Sequence, residues 1–292
     1  MQETQIITFE TPQKLLLQGL WIGPKNPKVL YIFIHGLSSA LFSQINLAQS
    51  LVSRDSAILT FNNRGSGTVT GIKKASNTKK GYTRETMGAA HEVFTDCVDD
   101  LEGAVSFAKK EGAGKIFLVG HSTGSQKSVY YLHKKKSSPV AGAILLAPMS
   151  DYAGVVKETP PKVLAKAVAY AKKLIAAGKP HELLPTSIWP QPCDAQRFIS
   201  LYTPESAEEI FSYAVPTKKP TALLSVSKPL LVVLADQDEY ADQPLPQIAE
   251  WFKTTLTKKD AQVSTVADSS HNFNGHDKIL RSLILDWVRK LN

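Results

Sequence analysis

The chain has 292 residues, of which 43% are hydrophobic and 21% are charged, so it can bury a large core and is not expected to be disordered. Its formal net charge is +8, yet no nucleic-acid-binding motif accompanies the lysines, and we expect no nucleic-acid partner. The first residues lack the basic and apolar regions of a secretory signal, and no apolar stretch could span a bilayer, so we expect a cytoplasmic protein without stable membrane insertion.

Strand patterns and helix patterns alternate along most of the chain. Short apolar runs predict eight strands, at residues 5–10, 14–22, 29–34, 57–61, 115–119, 141–147, 230–235 and 262–267. Helical periodicity predicts helices at residues 42–53, 95–110, 125–135, 246–256 and 276–291. Residues 62–84 are rich in glycine and lysine and are expected to form a loop. The alternation predicts an α/β protein whose mostly parallel sheet carries helices on both faces.

The alternation breaks after residue 147 for roughly 80 residues, which is far longer than an ordinary loop. Within this stretch, residues 162–177 repeat apolar side chains at helical spacing, and residues 204–213 begin like the acidic first turn of a helix. Trp189, Phe198 and Phe211 provide apolar surface that a flexible linker would not need. We therefore expect a helical lid at residues 149–227, inserted into a core formed by residues 1–148 and 228–292.

The pentapeptide from Gly120 to Gly124 has the form G-x-S-x-G, with Ser122 at its centre. It lies between a predicted strand and a predicted helix, where a serine is held on a sharp turn that exposes its hydroxyl above the sheet. A glycine-rich turn without chemistry is the alternative interpretation. The strand-to-helix context favours Ser122 as a nucleophile.

A serine nucleophile needs a base, and the base needs an acid that orients it. In this kind of fold the acid and then the histidine follow the serine along the chain. Asp238 follows the strand at residues 230–235 and is preferred over Asp236 as the acid, because a short turn is needed to bring the carboxylate back over the sheet edge. Asp236 is the alternative, and is otherwise expected to cap or stabilise that turn. His271 follows the last strand and is the candidate base, whereas His276 at the start of the final helix is expected to cap it or face solvent.

Two backbone amides are expected to stabilise a developing oxyanion. One belongs to Thr123, which directly follows the nucleophile, and the other to Leu37, in the loop after the third strand. His35 begins that loop and is expected to hold it by hydrogen bonds. His121 is expected to pack or bond locally. The remaining histidines have no surrounding pattern: His91, His133 and His181.

With these residues, the chain resembles the α/β-hydrolase superfamily over essentially its whole length. Residues 61–67 are similar to the D-x-R-G-x-G loop of that superfamily, although Asn62 stands where an aspartate is common, and Arg64 is expected to be buried in hydrogen bonds. The resemblance implies an α/β-hydrolase fold, with Ser122 as nucleophile, Asp238 as acid and His271 as base. No metal or organic cofactor is expected, and the two distant cysteines predict neither a disulfide framework nor a metal site.

Four segments, at residues 120–126, 177–185, 197–201 and 238–240, are similar to a subgroup that includes fungal hydrolases that open siderophore esters. Cytosolic carboxylesterases of broad specificity fit equally well, so neither substrate is carried over to this chain. Aromatic residues in the predicted lid favour a partly hydrophobic group, and the surplus of lysines favours an anionic one.

The sequence thus predicts a serine hydrolase that cleaves small-molecule carboxylic esters through an acyl-enzyme. An amidase or peptidase would use the same three residues and could bind an amino terminus through Glu205, Glu208 or Glu209. We expect these glutamates instead to be solvated acids at the start of a helix. A binding protein without catalytic activity is the third alternative. Neither the oligomeric state nor the acyl chain length can be read from the sequence.

Overall fold

The computed structural model describes residues 3–257 and 260–291. One sheet contains ten strands, which are β1 (Thr4–Glu10), β2 (Leu15–Ile22), β3 (Val29–Ile34), β4 (Ser56–Phe61), β5 (Thr70–Ala75), β6 (Tyr82–Met87), β7 (Lys115–His121), β8 (Val140–Leu146), β9 (Leu230–Ala235) and β10 (Ala261–Val266). Their order is β10-β9-β8-β7-β3-β4-β2-β5-β6, and β1 pairs with β2. From β10 to β4 every neighbouring pair is parallel, whereas the strands beyond β4 pair antiparallel.

The helices lie between the strands along the chain. They are α1 (Ile45–Ser50), α2 (Cys97–Lys110), α3 (Thr123–Lys134), α4 (Asp151–Glu158), α5 (Pro161–Ala176), α6 (Ala195–Tyr202), α7 (Thr221–Leu224), α8 (Leu245–Thr255) and α9 (Asp277–Lys290). No helix in residues 3–257 or 260–291 has the length and apolar character that crossing a membrane requires.

Successive side chains of the central strands enter two separate apolar cores. On β3, Leu30 and Ile32 belong to one core, and Tyr31 and Phe33 belong to the other. The first core packs against α2, α3 and α8, and the second packs against α1 and α9. Because both faces are covered, these strands read as continuous apolar runs. The predicted mostly parallel sheet with helices on both faces is confirmed, and all eight predicted strands form.

The prediction of a loop at residues 62–84 is wrong, because most of this stretch belongs to the hairpin of β5 and β6. The hairpin adds two strands to the predicted eight. Ile72 packs partly against the first core, while neighbouring positions of β5 face solvent. β6 is the last strand of the sheet and β5 lies next to it, so much of this hairpin is exposed and tolerates lysine, arginine and glycine. That composition hides the alternation typical of a strand.

Residues 149–227 contain α4 to α7 and an apolar cluster of their own, centred on Trp189 and Phe198. The expected helix start at residues 204–213 is wrong. That stretch consists of turns and a short 3₁₀ segment at Ser212–Ala214. The helix expected at residues 42–53 is limited to α1, which begins after Gln44, whose φ of 59° is left-handed. Because a residue in the left-handed conformation interrupts a right-handed helix, α1 cannot extend toward the N-terminus through Gln44.

Candidate active site

Ser122 lies at the sharp corner between β7 and α3. Its backbone has φ 54° and ψ −127°, a combination that residues other than glycine rarely adopt. The Ser122 amide donates to the Leu146 carbonyl on β8 over 2.9 Å, and the Ser122 carbonyl accepts from the Ser125 amide over 2.8 Å. The surrounding backbone therefore imposes a strained conformation on this one serine.

Three glycines allow the corner to form. A Cβ atom at Gly120 would collide with the backbone of Gly124, and a Cβ atom at Gly124 would collide with the Ile34 carbonyl. A Cβ atom at Gly36 would lie 2.9 Å from the Ser122 Cβ. The loop after β3 therefore passes directly beside Ser122, and side chains at these positions would push the two apart.

Asp238 and His271 meet at the ends of β9 and β10. The His271 Nδ1 lies 2.8 Å from the Asp238 Oδ2, and both side chains are buried. The other Asp238 oxygen, Oδ1, accepts from the Tyr240 amide over 3.0 Å. An ionised aspartate only accepts, so the proton of a neutral His271 lies on Nδ1 and its Nε2 carries a free lone pair. Asp236, the alternative acid, instead accepts from the neighbouring Gln237 side chain.

Three further contacts fix the position of His271. Its amide donates to the Glu239 Oε2 over 2.9 Å, and its carbonyl accepts from the His121 Nε2 over 2.9 Å. The Tyr240 ring meets the imidazole edge to face, with 4.7 Å between the centroids. Glu239 was not identified from the sequence, although it directly follows the predicted acid. Partial burial pushes the pKa of Glu239 upward, but the hydrogen bonds from the His271 and Glu239 amides and the charges of the His271 and His121 rings together outweigh it and lower that pKa.

His121 and His35 are held in structural hydrogen bonds. Burial and the neighbouring His271 lower the pKa of His121 to about 4. Burial and nearby Lys127 likewise lower the pKa of His35 to about 4. The His35 Nε2 accepts from the Asn63 amide over 3.2 Å, and its Nδ1 lies 2.9 Å from the Gly36 carbonyl. Both rings are therefore neutral at physiological pH.

A cavity of about 780 Å³ opens beside Ser122 and His271. One side, which we call the core wall, comprises cavity-lining residues from the ends of the core strands: residues 36–39, 43, 121–122, 240 and 271–272. We call residues 149–227, between β8 and β9, the inserted segment. The other side, the inserted wall, comprises its cavity-lining residues: residues 149–151, 154–155, 158–160, 163, 189–191 and 202. Among the described residues, neither the Ser122 hydroxyl nor the His271 Nε2 has a hydrogen-bond partner, so the two atoms are not bonded to each other.

The amides predicted to hold an oxyanion also lie at this corner. Leu37 lines the cavity, and Thr123 is the first residue of α3. Within residues 3–257 and 260–291, neither of these two amides donates to a protein acceptor. A helix begins with unpaired N–H groups that carry partial positive charge, so this end of α3 favours a negatively charged oxygen.

The loop after β4 holds the structure beneath the site. Arg64 is buried and donates to Asp96, Asp99 and Asp100, as the resemblance to the superfamily implies. Asn62, which stands where an aspartate is common, accepts from the Leu41 amide over 2.8 Å. The side-chain oxygen of this asparagine therefore supports the segment that follows Leu37.

Asp151, in the inserted wall, was not identified from the sequence. It is the first residue of α4, and its Oδ2 accepts from the Gln126 Nε2 over 3.0 Å. Burial raises the pKa of Asp151 to about 8, and the carboxylates of Glu208 and Glu209 add to that rise. No local pattern marks this residue, because its position depends on how the inserted segment packs on α3.

The glutamates considered for binding an amino terminus do not line the cavity. Glu208 and Glu209 are buried, so the expectation that they face solvent is wrong, whereas Glu205 is exposed. Glu208 accepts from Arg197 and Ser200, and Glu209 accepts from the Ser150 hydroxyl over 2.8 Å. These partners replace the water that the carboxylates lose on burial.

Buried ion pairs join the inserted segment to the core. The Lys127 Nζ on α3 lies 2.6 Å from the Glu92 Oε1, and the Arg197 Nη2 on α6 lies 3.2 Å from the Glu92 Oε2. Arg197 also pairs with Glu208 and is completely buried. One glutamate of the core is thus shared by a cation of the core and a cation of the inserted segment.

The other histidines lie outside the cavity lining. His276 precedes α9 and bonds to the Asn274 carbonyl, whereas the His133 ring bonds to the Ser225 hydroxyl. The rings of His91 and His181 both contact the buried Asp194 carboxylate, at 3.1 and 3.0 Å. The His91 contact connects a core loop with the inserted segment, whereas the His181 contact lies within that segment.

Three solved structures share this arrangement of strands and helices. The α/β hydrolase GrgF from Penicillium sp. sh18 is 17% identical, with a TM-score of 0.67 over 99% of this chain and 98% of that chain. Est1E from Butyrivibrio proteoclasticus, solved with ferulic acid, is 15% identical, with a TM-score of 0.65 over 97% of this chain and 98% of that chain. The Pyrococcus furiosus esterase Pf2001 is 16% identical, with a TM-score of 0.60 over 99% of this chain and 91% of that chain.

At these identities the likeness shows the fold, which is that of the α/β hydrolases. No curated protein sequence matches the chain. The sequence profile of one family, DUF1749, described as a protein of unknown function, matches residues 31–289. Because this match spans most of the chain, the protein belongs to the DUF1749 family.

Proposed function

We propose that this protein is a serine hydrolase that cleaves carboxylic esters, with Ser122 as nucleophile, His271 as base and Asp238 as acid. The observation that carries the proposal is the meeting of three features at one cavity. A serine in a strained corner and a histidine with a free Nε2 line it, and a buried carboxylate holds that histidine. The esterases with the same fold are consistent with this chemistry.

In the proposed mechanism, the Ser122 Oγ attacks the ester carbonyl carbon while the His271 Nε2 takes the hydroxyl proton. Asp238 keeps the other ring proton on Nδ1 and stabilises the imidazolium that forms. The oxyanion accepts hydrogen bonds from the amides of Leu37 and Thr123, and losing one such donor typically costs about 3 kcal/mol of transition-state stabilisation. The step requires the serine and the imidazole to come within hydrogen-bond reach when substrate binds.

Collapse of the tetrahedral intermediate breaks the ester C–O bond, and His271 gives its proton to the departing alkoxide. The acyl group then remains on Ser122. A water molecule, deprotonated by His271, attacks this acyl-enzyme, and the acid product leaves with Ser122 restored. Every proton moves through one imidazole, and no atom changes its oxidation state, so the reaction needs no redox partner.

We further propose that residues 149–227 act as a lid that selects the substrate. Apolar side chains such as Val155, Val163 and Trp189 line the inserted wall, which suits a partly hydrophobic small-molecule ester. No Lys or Arg occurs among the described residues that line the cavity, so the lysine surplus gives no support for an anionic substrate. The peptidase alternative depended on glutamates that could bind an amino terminus. Glu208 and Glu209 give it no support, since both are occupied by protein partners.

A fluorophosphonate probe tests the proposal, because it reacts with activated serines. We expect the wild-type protein to be labelled and to hydrolyse nitrophenyl esters, and the Ser122→Ala variant to do neither. Ser43→Ala is the matched control, since Ser43 lines the same cavity outside the corner, and it should keep the label. Equal labelling of wild type and Ser122→Ala would refute the proposal.

A further inference from the structure

The cavity differs in charge from the rest of the molecule. The chain carries a formal net charge of +8, but the ionisable acids and bases among the described lining residues are the carboxyl groups of Asp151 and Glu158 and the rings of two histidines and two tyrosines. A cavity with carboxylates and no lysine or arginine attracts cations, and low-dielectric walls strengthen that attraction.

Asp151 is the carboxyl group of the cavity that is bonded to α3, the helix that begins directly after the proposed nucleophile. It bonds to Gln126, which follows Ser122 by four residues on α3, or about 6 Å along the helix axis. The backbone around it is fixed, because the Ser150 amide donates to the Tyr213 hydroxyl and the Ser150 hydroxyl caps α4. A group bound by this carboxylate would therefore sit in the same cavity as the reacting serine.

Asp151 has no ion-pair partner among the described residues, although cations lie nearby. Lys127 is already paired with Glu92, and Arg197 is paired with Glu92 and Glu208. The charged and titratable groups that face Asp151 are Lys127 on α3, Arg197 and Tyr202 on α6, Glu208 and Glu209 in the turns that follow, and Tyr213. Within this group the carboxylates raise the pKa of Asp151, so a further positive charge would relieve their repulsion.

Two aromatic side chains complete this side of the cavity. Trp189 and Tyr202 line it together with Asp151, and their rings lie 5.3 Å apart. The Trp189 indole N–H is buried and has no acceptor within the part of the chain that the structure describes. Aromatic faces attract cations, and a carboxylate beside aromatic rings is a common way to bind an ammonium group.

We propose that Asp151 is the specificity-determining residue of this cavity, and that it binds a cationic amino group of the substrate beside the rings of Trp189 and Tyr202. This inference rests on the proposed function, and it narrows the substrate class to esters that carry an amine. Such an amine would make a charge-assisted hydrogen bond to Asp151, while Ser122 attacks the ester carbonyl of the same molecule.

Binding of a small probe tests the site without requiring catalysis. At pH 9, where Asp151 is ionised, we expect n-hexylammonium to bind at least about tenfold more tightly than hexan-1-ol in isothermal titration, since a hydrogen bond between charged partners contributes on that order. Asp151→Asn keeps the shape of the side chain and should abolish the difference. Glu158→Gln, at the other carboxyl group of the cavity, should keep it. Equal binding of the two probes by the wild type, or an equal loss in both variants, would overturn the proposal.

Kinetics then test the substrate class. The ratio of kcat/KM for the nitrophenyl ester of 6-aminohexanoic acid to that of heptanoic acid should exceed about ten in the wild type and approach one in Asp151→Asn. A second pair, 2-aminoethyl and propyl hexanoate, tests an amine on the alcohol side. Preference for the amine in either pair supports the inference. Hydrolysis of all four esters without preference would refute it and leave the proposed function intact.

The two proposals can therefore fail separately. If hexylammonium binds through Asp151 but Ser122 is neither labelled nor needed for hydrolysis, the serine mechanism fails and the amine site remains. The affinity for hexylammonium should also rise between pH 6 and pH 9 in the wild type, because Asp151 ionises with a pKa raised to about 8 while an alkylammonium, like lysine at about 10.4, stays charged. Asp151→Asn should show no such rise.

Discussion

The two walls of the cavity are held in place by different interactions. On the core wall, the functional groups meet at strand ends, where backbone hydrogen bonds to His121 and Glu239 fix His271, and a bond from the Tyr240 amide fixes Asp238. The inserted wall depends on completely buried charges, with Arg197 between Glu92 and Glu208. Bonds of the first kind join residues at or just after strand ends, which the sequence pattern marks, whereas ion pairs of the second kind join segments that no local pattern marks. The comparison separates the residues proposed for chemistry from those proposed for substrate selection.

The largest expected effect concerns the core wall. Asp238→Asn should lower kcat about 10⁴-fold, since an amide can no longer hold the proton of His271 on Nδ1, and His271→Ala should lower it on the order of a millionfold. Steady-state hydrolysis of a nitrophenyl ester measures both. Asp236→Asn is the matched control and should stay within about threefold, because Asp236 contacts Gln237 rather than the imidazole. A large loss in Asp236→Asn with activity kept in Asp238→Asn would assign the acid to Asp236.

A smaller effect is expected where the inserted segment meets the core. Arg197→Met leaves Glu208 buried without its cation, and the free energy of unfolding should fall by about 3–5 kcal/mol. Urea unfolding measures the loss. The control, Arg289→Met, breaks an exposed pair with Asp286 and should cost below about 1 kcal/mol. Equal losses in the two variants would mean that the buried pairs do not hold the inserted segment.

The core and the inserted segment should also respond to pH in opposite directions. His35 and His121 have a pKa lowered to about 4 in the folded chain, so the stability they provide is complete above about pH 6.5 and is lost as the pH falls toward 4. Glu209 has a pKa raised to about 7 by burial, so its contribution is complete below about pH 4.5 and is lost as the pH rises through 7. Each group accounts for about 3 kcal/mol, at 1.36 kcal/mol for each pKa unit.

Urea unfolding between pH 4 and pH 9 would measure both parts of the curve of unfolding free energy against pH, namely the acidic limb, where stability falls at low pH, and the alkaline limb, where it falls at high pH. His35→Gln should flatten the acidic limb and leave the alkaline limb as it is, and Glu209→Gln should do the reverse. The glutamine variant resembles the protonated glutamate, so it can keep a hydrogen bond with Ser150. If both substitutions changed the loss of stability at low pH, or the loss at high pH, by the same amount, the core and the inserted segment would not titrate separately.

The sequence predicted the core wall well because each of its parts follows a strand. Ser122, Asp238 and His271 lie just after apolar runs, and parallel strands bring their carboxyl ends to one edge of the sheet. The glycines around Ser122 are visible in sequence because no other residue fits their close contacts. The roles of these residues stay predictions until the variants are measured.

The remaining features depend on contacts that a local pattern does not encode. Asp151 resembles any acidic residue at a helix start, and its position in the cavity follows from its bond to Gln126. The burial of Glu208 depends on Arg197, which is eleven residues away and completely buried. In the hairpin of β5 and β6, lysines on an exposed strand concealed the alternation. Tertiary packing decided each of these cases.

The most direct test is to trap the acyl group. A reaction of the wild-type protein with a nitrophenyl ester, quenched rapidly in acid and digested, should yield a peptide that carries the acyl group on Ser122. Replacing His271 with alanine should prevent its formation. Recovery of the acyl group on another residue, or hydrolysis that continues without any acylated peptide, would contradict the central claim that Ser122 is the nucleophile.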